Sequence, residues 1–165
     1  MNSLAWPDSH HLSAAEGWLE LGNLLEADAE VDKISPTLRT HPAVLRLRWH
    51  ICGQANRWND ALEIADASVR LLPGNAESWL HRSVALHKLK RTREARDQLL
   101  PAVPLFPDGD AIRYDLACYE CQLGRLPEAK AWLEKAFAID HTKTLKLEAL
   151  KDPDLESLWK HIGEL

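Results

Sequence analysis

The sequence predicts an all-α chain built of antiparallel helix hairpins, and three observations carry that prediction. Alanines recur at one step: Ala61, Ala95 and Ala129 are 34 residues apart, and the pairs Pro73/Pro107 and Ala102/Ala136 repeat it. Apolar residues follow helical spacing, with Val44, Leu47, Ile51, Ala55 and Trp58 on one stripe and Leu45, Trp49 and Cys52 on a second. Two stripes describe a helix covered on two sides, as packing between neighbouring hairpins requires. The third observation is that no segment alternates apolar and polar residues as a strand would.

The elements follow in order. Residues 1–11, with the His10-His11 pair, read as a mobile N-terminal arm ahead of a single domain over 12–165. Ser13-Ala14-Ala15-Glu16 reads as a capping box at a helix start. Ser35-Pro36 interrupts the next helix, because proline lacks an N–H and clashes one turn back. Residues 12–41 therefore read as a shortened, kinked hairpin that caps the N-terminal end. Residues 42–75, 76–109 and 110–141 are three repeat units, with Asn75 and Thr92 as helix N-caps. Pro101 and Pro104 shorten the second helix of the third unit, and Gly124 gives a left-handed stop before Pro127 opens the next helix. In 142–165, Leu145, Leu147, Ala149 and Leu150 suggest a short helix. Asp152-Pro153-Asp154 starts another, whose stripe of Leu155, Leu158, Trp159 and Ile162 is expected to close the open end of the stack. The total is nine to ten helices.

Composition bounds the function. The chain has 165 residues, 45% apolar and 27% charged, in the range of folded single domains. Its net charge of −5 gives no reason to expect nucleic-acid binding. No run approaches the roughly 18 apolar residues of a membrane span, and no basic-then-apolar leader precedes His11. Three cysteines make no disulfide framework and suit a reducing compartment, so the expected location is the cytoplasm. Seven tryptophans stand beside two Phe and two Tyr, a choice that suits wide gaps between helices.

Several stretches match a family pattern. Trp18-Leu19-Glu20-Leu21-Gly22 fits a W-x2-L-G opening. Asp115-Leu116-Ala117-Cys118-Tyr119, Leu123-Gly124-Arg125-Leu126, Glu128-Ala129, Leu133 and Ala136-Phe137 fit the body of a repeat, as do Trp79, Ala95, Leu99, Ala102 and Pro107. With the 34-residue step, roughly residues 12 to 140 resemble the tetratricopeptide repeat (TPR) family, in the manner of its small bacterial members. Trp49 stands where the family has a small residue, which implies wider helix separation or a ring turned toward the groove. The resemblance implies a right-handed superhelical solenoid. It also implies a non-catalytic scaffold that holds a peptide or protein in a concave groove lined by each unit's first helix.

The family's groove positions fall on Arg46, His50 and Gln54, then Leu80, Val84, His87 and Lys88, then Tyr114, Cys118, Cys121 and Gln122. The family's carboxylate clamp needs convergent cations and amides. His81, Ala111 and Asp115 occupy its Asn, Lys and Arg places, and Asp115 would repel a carboxylate. Charge is nevertheless blocked: residues 1–34 hold seven acids and one Lys, 35–59 hold four Arg and no acid, and 81–96 hold six cations and Glu94. The basic blocks read either as a docking surface for an acidic, partly apolar partner or as a solvated face neutralised by the acidic first hairpin. Arg48 and Arg82 replace the motif's Leu. Either their stems pack while the guanidiniums reach water or an acid, or they form a ladder beside the groove.

Chemistry candidates are few. Cys118 and Cys121 form a C-x-x-C late in a helix, without the N-terminal dipole that lowers a thiol pKa, and His87 is the natural third ligand. They read as packing residues, with a metal-binding or thiol-redox module as the alternative. His41 and His141 fall at helix junctions and His161 on the last helix. No H-E-x-x-H, G-x-S-x-G or glycine-rich phosphate loop occurs, so neither an enzyme nor a cofactor is expected. Trp6 and Trp159 lie outside the repeats and are candidates for a homodimer contact.

Overall fold

The computed structural model describes residues 4–140 and 144–163, and all regular structure among them is helical. Four hairpins run in order: α1 (Asp8–Glu20) with α2 (Leu24–Asp32), α3 (Pro42–Gln54) with α4 (Trp58–Leu71), α5 (Ala76–Lys88) with α6 (Thr92–Leu99), and α7 (Asp110–Gln122) with α8 (Leu126–Ile139). Then come α9 (Leu145–Ala149), a 3₁₀ stretch Pro153–Leu158 and α10 (Trp159–Ile162). Contacts group into two compact units, Met1–Pro73 and Gly74–Leu165. The first holds α1–α4 and the second α5–α10. Among the described residues no helix is long and apolar enough to cross a membrane.

First helices begin at residues 8, 42, 76 and 110, and second helices at 24, 58, 92 and 126. Each series advances by 34, so the chain has four hairpins of one length rather than three and a shortened one. Residues 8–11 belong to α1, not to an arm, and Ser13 lies inside that helix rather than capping it. Asp8 is buried. Its carboxylate accepts hydrogen bonds from the Ser35 backbone N–H (2.6 Å) and the Ser35 hydroxyl (3.1 Å), tying the start of α1 to the chain after α2. The proline does end α2 early, at 9 residues against 14 in α4. A 3₁₀ turn, Pro36–Leu38, fills the remaining length, so the helix is cut short while the repeat is not.

One turn device joins the helices of every hairpin. Gly22 (φ 74°), Asn56 (φ 56°), Lys90 (φ 64°) and Gly124 (φ 77°) are left-handed. The following N–H then reaches back five residues: Asn23 to the Trp18 carbonyl (2.9 Å), Arg57 to Cys52 (2.8 Å), Arg91 to Leu86 (2.9 Å) and Arg125 to Glu120 (2.9 Å). This is the Schellman closure of a helix C-terminus. Gly22 is thus a turn residue, and the Trp18–Gly22 match to the family's opening is out of register. The motif's small-residue place falls instead at Ala15, Trp49, Ser83 and Ala117, all buried and each 34 residues from the next.

The core repeats with the turns. Ala27, Ala61, Ala95 and Ala129 are fully buried, and having no side chain beyond Cβ they let paired helices approach closely. One turn later come Val31, Ala65, Leu99 and Leu133, then Ile34, Ser68, Ala102 and Ala136, all buried. Trp49 is packed inward, edge-on to Trp58 with centroids 6.4 Å apart, so the ring is not turned into a groove. Asn75 caps α5 by accepting from the Glu77 N–H at 2.9 Å, whereas Thr92 is the first residue of α6 rather than its cap. Pro101 ends α6 in a 3₁₀ turn, as expected. Arg113, buried, donates to the carbonyls of Phe106 (3.2 Å) and Gly109 (2.8 Å) and closes that loop onto α7.

After α9, the Asp152 carboxylate accepts from the Asp154 N–H at 2.9 Å and starts the 3₁₀ stretch. Leu155, Leu158 and Ile162 are buried. This segment lies principally against α7, a first helix, rather than past α8 where the open end of the stack would be.

The turn analysis makes opposite predictions for two residues in equivalent places. Gly124→Ala should cost about 1 kcal/mol, because a Cβ is disfavoured in the left-handed region. Lys90→Gly should instead stabilise by roughly 0.5–1 kcal/mol, relieving the same strain against a greater unfolded-state entropy. Urea unfolding followed by circular dichroism reads both, and equal signs would refute the shared-turn account.

Candidate functional site

In the first unit, α1 and α3 are the first helices of successive hairpins. Glu16, Leu19 and Glu20 from α1 and Arg46, Leu47 and His50 from α3 line an open cleft of about 360 Å³. The Arg46 guanidinium is 3.8 Å from the Glu16 carboxylate, with both side chains well exposed, so the pair is loosely held. His50 is exposed and stands edge-on to the buried Trp49 ring at 5.2 Å. Leu19 is half-buried and supplies an apolar floor with Leu47. Gln54 is exposed on the next turn of α3 but does not line the cleft. The structure therefore brings Arg46 and His50 together and adds four residues that were not among the predicted groove positions, Glu16, Leu19, Glu20 and Leu47. Their signal was present: Glu16 and Glu20 stand 34 residues before His50 and Gln54, and the out-of-register motif hid them. With two carboxylates to one guanidinium, this lining is mixed in charge rather than cationic.

In the second unit, Leu80 and Val84 on α5 are half-buried and Lys88 is exposed. The remaining predicted groove residues are occupied by the chain itself. Tyr114 donates its hydroxyl to Asp152 Oδ2 at 3.0 Å, and the Cys118 thiol lies 3.6 Å from the same oxygen. Gln122 Nε2 donates to the Asp154 carbonyl at 2.9 Å. His87 places Nε2 3.1 Å from Asp154 Oδ2 and Nδ1 3.0 Å from the Thr92 hydroxyl, with its ring 5.2 Å from Tyr119. Residues 152–158 thus cover the α7 face that was expected to be open.

That cover also revises the thiol reading. Burial first, and then the carboxylates of Asp152, Asp115 and Asp154, push the Cys118 thiol up. Burial does the same at Cys121. A reactive or metal-binding thiol needs the opposite shift. Both His87 nitrogens are engaged, so the proposed third ligand is committed elsewhere.

Several cations of the basic blocks are engaged inside the units. Arg57 pairs with Asp28 at 2.6 Å, Arg91 with Glu94 at 2.7 Å, and Arg96 with Asp97 (2.6 Å) and the buried Glu120 (2.8 Å). Arg82 donates to the Gln98 carbonyl at 3.0 Å and lies 4.9 Å over the Trp79 ring, which is the packed-stem arrangement rather than a free ladder. His11 reaches Glu30 at 2.8 Å, and His41 accepts from the Ala43 N–H at 3.3 Å, capping α3. His141 lies outside the described residues. Trp159 is half-buried and donates to the Asp152 carbonyl at 3.1 Å.

Solved structures share this architecture. A crystal structure of MamA superposes with a TM-score of 0.73 at 12% identity, over 84% of this chain and 81% of that one. A MamA RS-1 double mutant gives 0.71 at 14%, over 83% and 77%. TTC0263, a thermophilic TPR protein of Thermus thermophilus, gives 0.70 at 21%, over 97% and 83%. At these identities the likeness is one of fold: the chain has a TPR-like fold. No family model matches the chain, and no curated protein is similar to it in sequence.

One group on the covered face is electrostatically disfavoured. Asp115, half-buried on α7, is pushed up to about 7 by loss of water and then by the Asp152 carboxylate, against a hydrogen bond from Tyr119 that lowers it. A carboxyl raised above its unfolded value of about 3.9 holds its proton better in the folded state. Stability therefore falls as pH rises from about 4 to about 7, and the cost is complete above that window. Asp115→Asn should raise the melting temperature at pH 8 by about 2–4 °C per kcal/mol recovered. The gain should vanish near pH 4, and a gain that is constant with pH would exclude this origin.

Proposed function

We propose that this chain is a non-catalytic protein-interaction module whose partner-binding site is the α1–α3 cleft of the first unit. The observation that carries the reading is the convergence of Arg46, His50, Glu16, Glu20 and Leu19 on one open cleft formed by two first helices. Such a lining suits a partner segment with an apolar anchor seated on Leu19, an acid facing Arg46 and a donor facing Glu20. The solved structures of like fold support a scaffold of this kind: TTC0263 is itself described as a TPR protein. The chemistry of the lining supports binding, since the cleft sets an acid loosely paired with an arginine beside an apolar floor.

The test is affinity capture from the native cell's lysate, using the full chain as bait. Arg46→Glu reverses the cleft's one cation, and Lys88→Glu changes charge in the second unit. A partner retained by Lys88→Glu and reduced at least about tenfold by Arg46→Glu, at unchanged helicity, is the expected result. Equal recovery by all three baits would move the site away from the cleft.

A second reading, homo-oligomerisation, has its own observation. Trp6, Leu21 and Leu25 in the first unit are among the most exposed apolar residues, at 81%, 76% and 83%. Light scattering over a concentration series decides it, because a monomer at every concentration removes the reading.

A further inference from the structure

We propose that residues 152–162 are an intramolecular strap over a second binding face, the one formed by α5 and α7, and that its hold loosens when Asp115 ionises. The face being a binding face rests on the reading of first helices given above; release of the strap does not, and is testable with no partner present. The site is also separate from the α1–α3 cleft, since every residue involved belongs to the second unit.

The contacts have the form of a bound segment. Asp152 and Asp154 present their carboxylates to donors on two helices, the Tyr114 hydroxyl and Cys118 thiol of α7 and the His87 ring of α5. Gln122 takes the Asp154 carbonyl, the backbone contact by which a groove side chain fixes an extended ligand's register. Leu155 and Leu158 then insert as apolar anchors, both buried. A peptide partner in a groove is held by the same three kinds of contact, so a partner at this face must displace the strap. Tethering gives the strap an effective concentration of millimolar order, which an untethered segment of ordinary affinity does not overcome. Release therefore calls for something that weakens the strap itself.

The geometry supplies it. Asp115 follows Tyr114 on α7, flanks Cys118 on the helix surface, and feels the carboxylates of Asp152 and Asp154. The groups that act on Asp115 are Asp152 and Asp154 from the strap and Tyr119 and Cys118 from α7; His87 from α5 faces Asp154, and Glu148 from α9 acts on Tyr114. Three carboxylates, Asp115, Asp152 and Asp154, gather on one face. Ionisation of Asp115 sets like charge against both strap aspartates, which acts toward release as pH rises.

The cysteines report on it. Cys118 and Cys121 lie buried beneath the strap, and Cys52, buried in the first unit, is an internal control. The rate of thiol labelling by a disulfide reagent that reacts at acid pH is measured residue by residue in the full-length wild type and in Asp115→Asn at pH 8 and pH 4. At pH 8 the variant should label Cys118 and Cys121 at least about tenfold more slowly than wild type, each pKa unit being a factor of ten, with Cys52 unchanged. At pH 4 the two proteins should agree. Equal rates at pH 8, or a common change at all three cysteines, would overturn the strap. Amide exchange of wild type gives a reading that needs no variant: corrected for intrinsic rates, protection of 155–162 should fall relative to α3 between pH 6 and pH 8. A constant ratio would overturn it equally.

Discussion

The left-handed residue between paired helices is the constraint on which the rest of this structure depends. It ends each first helix at a fixed residue, and the N–H that follows closes back on the carbonyl five residues earlier. The second helix then starts two residues further on, at 24, 58, 92 and 126, and its fully buried alanine arrives on the third residue after that start. Everything functional inherits this phase. Which residues of α1 or α3 face a cleft, and which of α7 face the strap, is decided by where the turn stops the helix. That the turn tolerates Asn56 and Lys90 as well as two glycines shows how little local preference weighs once helix packing fixes the register.

That tolerance explains what could and could not be read from the sequence. The buried alanines and the helical stripes were visible because an alanine row is what close helix packing leaves behind in composition. The turn row was not, because glycine, asparagine, lysine and glycine share a backbone conformation but no side-chain chemistry. Without it, Trp18–Gly22 offered a better-looking motif out of phase with the true repeat, and the first hairpin looked short. Two consequences follow from the true phase: α1 starts at Asp8, and Glu16, Leu19 and Glu20 share a cleft with Arg46 and His50. The family resemblance projects groove positions onto α5 and α7, yet occupancy is a tertiary fact. The sequence announces that Asp152-Pro153-Asp154 starts an element, and says nothing of the helix on which that element comes to rest.

The two first-helix faces differ in how their polar groups are satisfied. At the α1–α3 cleft, Arg46 and Glu16 are exposed and 3.8 Å apart, a separation at which water completes the solvation of both. Little is lost when such a pair exchanges water for a partner's groups. At α7 the balance is different. The strap removes Tyr114 and Cys118 from water and satisfies them with carboxylate oxygens, leaving Asp115 half-buried beside like charge. Leucine and isoleucine anchors supply the burial that offsets this, at about 25 cal/mol per Å² of apolar surface.

An all-apolar cover would have avoided that electrostatic cost, so the acidic turn needs a reason. Apolar contact is permissive about register, because a leucine stripe can slide by a turn and still bury its area. Two carboxylates separated by one residue cannot slide: Asp152 meets Tyr114 and Cys118, Asp154 meets His87, and the carbonyl of Asp154 meets Gln122, each at one position only. Buried polar contacts of this kind trade stability for a single defined seat. The same trade makes the seat sensitive to protonation, since Asp115 ionises beside the aspartates that define it. Specificity and pH response at this face are thus two results of one choice, the placing of aspartates rather than leucines at 152 and 154.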